Sequence, residues 1–311
     1  MKMDERALPQ TTLAQSQPLK KKSGPPVKRL IWPGIIFVAI MTQIPFIVTI
    51  YYSLQEWNIL RPAQGVQFVG LSNFIDALTS SHFLHVVLNT FILTFCSILL
   101  CLILGMAFAL MLNRNFFAKG LVRTMMVSPF FVMPAVAGIV WKTMVFDPSF
   151  GFSYFIANVT ATQPIEWLSH YPLAAIIMII TWQWAPFFML VLLAGLQSLP
   201  QDQLEAASLD GASNTQKIFY VIIPHLFRYL EVVTMLGLIF ILQIFGQIYV
   251  TTSGGPGFSS TNLTFLTYRD AFQNWEIGQG SAVGVIAVII TLIVMMFLFN
   301  ILRRRFKEEL S

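Results

Sequence analysis

Charge is scarce in this chain: Asp, Glu, Lys and Arg make up 11% of its 311 residues, against about 25% in an ordinary soluble domain. Hydrophobic residues reach 56%, and they come in long uncharged runs instead of amphipathic stripes. That pattern excludes a water-soluble fold and makes lipid the main solvent. Cysteine is nearly absent. Cys96 and Cys101 lie five apart within one apolar run, where neither a disulfide nor a metal site is expected. Enzyme signatures are missing as well: there is no G-x-x-x-x-G-K-[ST], no H-E-x-x-H, no G-x-S-x-G and no cysteine pair at zinc spacing, so no catalytic residue is assigned. His82, His85, His170 and His225 sit in loops or at span ends without carboxylate partners, a poor metal signal. Asp and Glu are absent from the centres of the apolar runs, which argues against a proton-coupled carrier. A stand-alone secondary carrier, the main rival reading, would also show an internal repeat, and none is visible.

What is present is a series of membrane-spanning candidates. Ile31 to Tyr52 is uncharged and long enough to cross about 30 Å of hydrocarbon. No small-residue cleavage pattern follows it, so it reads as an uncleaved first span and not a signal peptide. Five more follow: Val87 to Leu112, Leu121 to Met144, Leu173 to Leu196, Val232 to Thr251 and Ser281 to Leu302. The third carries Arg123 and Lys142 near its ends, and Pro129 and Pro134 inside. Two prolines interrupt backbone hydrogen bonding, so this span is expected to be broken or kinked. A broken backbone survives at membrane depth only where protein or a water-lined cavity covers it.

The expected architecture is therefore an all-α polytopic membrane protein with six transmembrane helices. Residues 1–29, rich in Gln, Pro and Ser with the run Lys20, Lys21, Lys22, read as a disordered basic tail. The membrane domain covers 30–305, and 306–311 form a short tail. The net charge of +5 does not point to nucleic acid, because the basic residues cluster beside span ends. With both termini cytoplasmic, sixteen of the Lys and Arg residues fall inside and three, Arg61, Lys142 and Arg269, outside. The opposite orientation inverts that bias, against the positive-inside rule.

The most informative loop, 198–224, lies between the fourth and fifth spans and contains LPQDQLEAASLDGASNTQKIFYVIIP. Its grammar is helix, turn, helix. Ser198 and Pro200 suit a helix start, Gln201 to Leu209 holds good helix formers, and Asp210 with Gly211 provides a stop. Ser213 and Gln216 form an S-x-x-Q capping box that opens a second helix, running until Pro224 disturbs it. Spacing alone leaves two roles open: docking another protein through the small residues Ala206 and Ala207, or lying on the membrane surface.

Glu205-Ala206-Ala207, Gly211 six residues after the glutamate, and Val221-Ile222-Ile223-Pro224 resemble the EAA loop of permeases in binding-protein-dependent ABC importers. The usual ending is Ile-x-Leu-Pro, so Val221 and Ile223 are conservative departures. The resemblance runs from about Ile31 to Arg305 and is nearest the carbohydrate-uptake, maltose-permease-like branch. Phe245 to Phe272, FGQIYVTTSGGPGFSSTNLTFLTYRDAF, is similar to sugar and polyol importers, with sorbitol and mannitol systems the preferred sub-branch. The resemblance implies a bacterial inner-membrane subunit that pairs with a second permease subunit, ATPase subunits and an extracytoplasmic solute-binding protein. It implies no cofactor on this chain, with ATP and Mg on the ATPase subunits. The loop becomes a coupling helix, with Glu205, Ala206, Ala207, Asp210, Gly211 and Pro224 as the ATPase-coupling set.

Gly254, Gly255, Pro256 and Gly257 read physically as a tight external turn; their other reading is contact with the binding protein. Arg269, Asp270 and Glu276 are expected on the same solvated rim. A sugar path needs hydrogen-bonding and stacking groups near the midplane, where polar groups are costly. Gln183, Trp184, Gln243 and Gln247 meet that need, with Asn89 and Thr90 weaker candidates. Gln243 and Gln247 are expected on one helical face at i, i+4. Interhelical hydrogen bonding is the alternative role for each polar residue in this set.

Overall fold

The computed structural model describes residues 27–309. The expected basic tail, 1–29, lies outside the described residues except for 27–29, which open the first helix, and the expected tail at 306–311 is corrected: 306–309 continue the last helix. The described residues are all-α apart from one hairpin of two-residue strands and an isolated bridge between Asn58 and Glu276. Among the described residues, five helices are long and apolar enough to cross a membrane, or six when a bent pair counts as one span.

Helix α1, Val27–Ser53, is the first span and holds Pro33 and Pro45. After it, β1 (Gln55–Glu56) and β2 (Gln67–Phe68) pair antiparallel, Gln55 opposite Phe68. Helix α2 follows at Ser72–Thr79. Its buried Asn73 donates through Nδ2 to the carbonyls of Ser53 (2.9 Å) and Gln55 (2.8 Å), which fixes this hairpin against α2. Helix α3, Phe83–Leu112, is the second span and starts four residues before the expected Val87.

The third span is broken, as its prolines predict. Helix α4 (Lys119–Val127) passes through a 3-10 turn at Ser128–Phe131 into α5 (Pro134–Val140) and a π turn at Trp141–Val145. The two halves meet at 102°. Pro134 opens α5 at the first turn, where its missing N–H costs nothing. Two short helices, α6 (Phe152–Thr160) and α7 (Trp167–His170), precede the fourth span, α8 (Pro172–Gln197).

Helix α9 (Gln201–Leu209) leads to α10 (Asn214–Lys217), a π turn at Ile218–Ile222, and α11 (Ile223–Ile241). Asn214–Ile241 forms one apolar span-length helix. Here the expected fifth span, 232–251, is corrected: the helix starts earlier and stops at Ile241. Residues 242–245 are non-helical, and α12 resumes at Gly246–Thr251. Helix α13 (Leu263–Tyr268), a π turn at Arg269–Gln273 and the last span, α14 (Ile277–Glu309), complete the order.

The core is the α3–α8 seam, with Leu93, Ile98, Cys101, Ile176, Ile180, Phe188, Met189 and Leu192 buried in it and α11 against its side. Lipid tails are as apolar as these side chains, so close packing and not water exclusion holds the seam. Gly105 makes the approach possible: a Cβ there would lie 2.8 Å from Phe188 Cβ and 3.0 Å from the Met189 amide.

Candidate functional site

The loop after α8 is built to be rigid. Helix α9 occupies Gln201–Leu209, the range its sequence predicts. It ends in a Schellman arrangement: the Gly211 N–H donates to the Ser208 carbonyl (3.1 Å) and the Ala212 N–H to the Ala207 carbonyl (2.9 Å). Gly211 has φ +79°, a left-handed backbone that side-chain-bearing residues adopt only under strain. Two residues on, the capping box is complete: Ser213 Oγ accepts from the Gln216 N–H (3.3 Å), and Gln216 Oε1 accepts from the Ser213 N–H (2.8 Å). Pro224 does not stop the next helix. The π turn before it widens the ladder, so the Ile223 N–H reaches back to Ile218 and the helix continues.

Glu205, Ala206, Asp210, Gly211 and Pro224 are exposed on this stub, and Ala207 is half-buried. Leu209 is 89% and Tyr220 78% exposed, with Phe219 also open. The sequence places Phe219 and Tyr220 in the second helix of the loop, without marking them as contacts. A network behind the stub was also missed. Ser198 Oγ lies 3.1 Å from His225 Nε2 and 2.8 Å from the Tyr229 hydroxyl, which ties the end of α8 to the start of α11 on either side of α9. The tie holds together the two spans that flank α9.

At membrane depth the structure separates the polar candidates. Gln183 Nε2 donates to the Val132 carbonyl at 2.5 Å, and Gln247 Nε2 donates to Gln183 Oε1 at 2.7 Å; both glutamines are buried. Val132 sits at the break of the third span, so its carbonyl has lost its helical partner. The break in the fifth span is treated alike: buried Asn262 donates through Nδ2 to the Ile244 carbonyl (2.6 Å). Lipid offers no hydrogen bonds, so each interrupted backbone is repaired by a buried amide from elsewhere in the chain. Gln243 is corrected in its pairing: it lies in the 242–245 break, exposed, whereas Gln247 opens α12, so the two share no helical face. Asn262 holds the chain to that path, and no proline betrays it in sequence. Trp184 is half-buried, stacked on Phe240 (ring centroids 5.3 Å, 25°) and edge-on to Phe130 (5.5 Å).

Asn89 is placed far from Gln183 in role. Its Nδ2 donates to the carbonyls of Phe258 (2.8 Å) and Thr261 (3.2 Å), and Thr90 Oγ1 accepts from the Leu263 N–H (3.0 Å). Both anchor the loop that carries Gly254, Gly255, Pro256 and Gly257. In that loop Gly254 is buried, Gly255 half-buried, and Pro256 and Gly257 form the exposed tip. Phe258 stacks on His82 (4.1 Å, 8°) and lies under the Arg269 guanidinium (4.1 Å). Burial, then the Arg269 charge, lowers the His82 pKa. Asp270 is not on a solvated rim. It is buried, and burial followed by the Glu276 charge pushes its carboxyl up to about 6, against a hydrogen bond from Asn274.

The family model "Binding-protein-dependent transport system inner membrane component" matches residues 101–308, which include the α9 stub, both breaks and the Gly254 loop. The chain belongs to this family. It is an integral inner-membrane permease component. It is 35% identical over 270 residues to "Probable ABC transporter permease protein y4oQ" of Sinorhizobium fredii, covering 86% of this chain and 87% of that one. It is 32% identical over 266 residues to "Trehalose/maltose transport system permease protein MalF" of Thermococcus litoralis, covering 85% and 88%. Among solved structures, a bacterial ABC transporter involved in the import of the acidic polysaccharide alginate matches with TM-score 0.74 at 22% identity, over 89% of this chain and 95% of that one. That likeness carries the fold.

Proposed function

We propose that this chain is the transmembrane permease subunit of an ATP-driven importer that moves a sugar or sugar alcohol into the cell by alternating access. The observation that carries the reading is the α9 stub: an exposed helix with Glu205 outward, closed at its C-terminus by the Gly211 turn, followed by the capping box of α10, and flanked by the Ser198, His225 and Tyr229 tie between two spans. Such a stub transmits force from a separate ATPase subunit, with Glu205 as the charged contact, Ala206 and Ala207 allowing close approach, Asp210 and Gly211 setting the turn, and Leu209, Phe219 and Tyr220 as apolar contacts. The chain performs no chemistry on its substrate; ATP and Mg act on the partner ATPase subunits. Its other partners are a second, different permease subunit and an extracytoplasmic solute-binding protein that meets the Pro256–Gly257 tip. The basic-residue bias puts both termini in the cytoplasm.

The relative named for trehalose and maltose transport supports a carbohydrate cargo. Within the path, Gln243 is the open hydrogen-bonding group, while Trp184 and Phe240 supply an aromatic wall for sugar C–H faces. Gln183, Gln247 and Asn89 act on the path indirectly, by holding its walls. The test is uptake by Glu205→Ala and Gly211→Val variants in cells. Both are expected to insert normally and to lose uptake together with substrate-stimulated ATP hydrolysis. Normal uptake in both variants removes the lever.

A further inference from the structure

Residues 148–165, between the third and fourth spans, contain no charged side chain. Within them, α6 has two unlike faces. Ser153 and Ala157, small and buried, pack on the protein, and Ser153 Oγ donates to the Ile165 carbonyl (3.3 Å). The opposite face presents Phe155 and Val159, 61% and 71% exposed, and Phe152 and Ile156 lie between the two faces, also exposed. Helix–helix interfaces in a membrane are enriched in small residues and in hydrogen-bonding groups; the bulky face has neither.

The depth of α6 is fixed by what it packs beside. Beside α6 lies an apolar hollow of about 190 Å³, whose lining includes Trp141 and Met178, Ser153 and Ala157 of the buried face, and Phe152 and Ile156, which flank that face. Trp141 opens the π turn that ends the third span, and Met178 lies six residues into α8, about 9 Å from its start at 1.5 Å per residue. The helix therefore lies beside the ends of the third and fourth spans. Around it Trp141, Phe146, Trp167, Tyr171 and Trp182 form a chain of ring contacts. Aromatic rings of this kind concentrate at the membrane–water boundary.

We infer that α6 is an interfacial helix whose Phe155 and Val159 face, flanked by Phe152 and Ile156, is buried in the acyl region of the outer leaflet, anchoring the third and fourth spans to lipid. The assignment to the outer leaflet, though not the lipid contact itself, rests on the topology proposed above. The bulky, uncharged character of this face and its place beside the span ends favour lipid over a protein partner.

The experiment uses the assembled importer in nanodiscs, with a bimane label on Val159→Cys and, separately, on Gln203→Cys of α9. Doxyl-labelled phosphatidylcholine is expected to quench the label at 159 and leave the label at 203 bright. No quenching at 159 overturns the inference, including the case in which another subunit covers α6. A parallel measurement, reaction of Asn158→Cys with a membrane-impermeant thiol reagent on intact spheroplasts, reads the side. Labelling there supports the outer leaflet; protection until the cells are lysed overturns the leaflet assignment and the topology while the quenching result still decides lipid contact.

Discussion

Replacing Gln183 by Leu strands two groups at once: the half-buried Val132 carbonyl at the break of the third span and the buried Gln247 amide that donates to Gln183. Each unsatisfied buried group costs about 1–3 kcal/mol, so the single change is expected to cost about 2–6 kcal/mol. Alternative partners in the membrane-embedded reference state pull the figure towards the lower end. Gln247→Leu strands only Gln183 Oε1 and is expected to cost about 1–3 kcal/mol. The double variant strands only the Val132 carbonyl, so it should be less damaged than Gln183→Leu alone. The assay is thermal unfolding of the purified complex in detergent, followed as a double-mutant cycle, with a coupling energy larger than the cost of the Gln247 change by itself. Equal destabilisation by the two single changes, with a double variant that equals their sum, refutes the staple.

Gln243→Leu is expected to leave thermal stability near wild type while uptake falls or substrate preference shifts, measured by labelled-sugar uptake; unchanged kinetics returns Gln243 to a bystander role. Gly105→Ala forces a Cβ against Phe188 and the Met189 backbone and should destabilise the α3–α8 seam by about 1–3 kcal/mol, read in the same melt. Asp270 holds its proton more tightly in the folded protein, with its carboxyl at about 6 against about 3.9 unfolded. The folded state binds more protons between these values, so its contribution falls as pH rises from about 4 to 6 and is flat above. Protection of residues 263–280 from hydrogen exchange should follow that slope in wild type and lose it in Asp270→Asn.

The signals that were legible in sequence are local ones. The bounds of α9, the Asp210–Gly211 stop and the Ser213–Gln216 box depend on contacts within a few residues, and the paired prolines marked the break in the third span. The break at 242–245 was hidden because Val232 to Thr251 is a continuous apolar run without proline. Its cause is Asn262, eighteen residues away, which captures the Ile244 carbonyl. The same distance problem hid the roles of Gln183 and Asn89, whose partners are 51 and 169 residues off. Residue type told that these amides were costly in a membrane, and it did not tell whether the compensating partner is a solute or the chain's own backbone. For Asp270, burial came from the packing of the 269–273 turn, which the hydrophilic sequence around it did not suggest.

The direct test of the lever is reconstitution of this chain in vesicles, alone and with its ATPase and permease partners, followed by measurement of solute accumulation against a gradient. Accumulation is expected only when the partners and ATP are present, and only with Glu205 intact. Uphill accumulation by the chain alone, without nucleotide hydrolysis, contradicts the account.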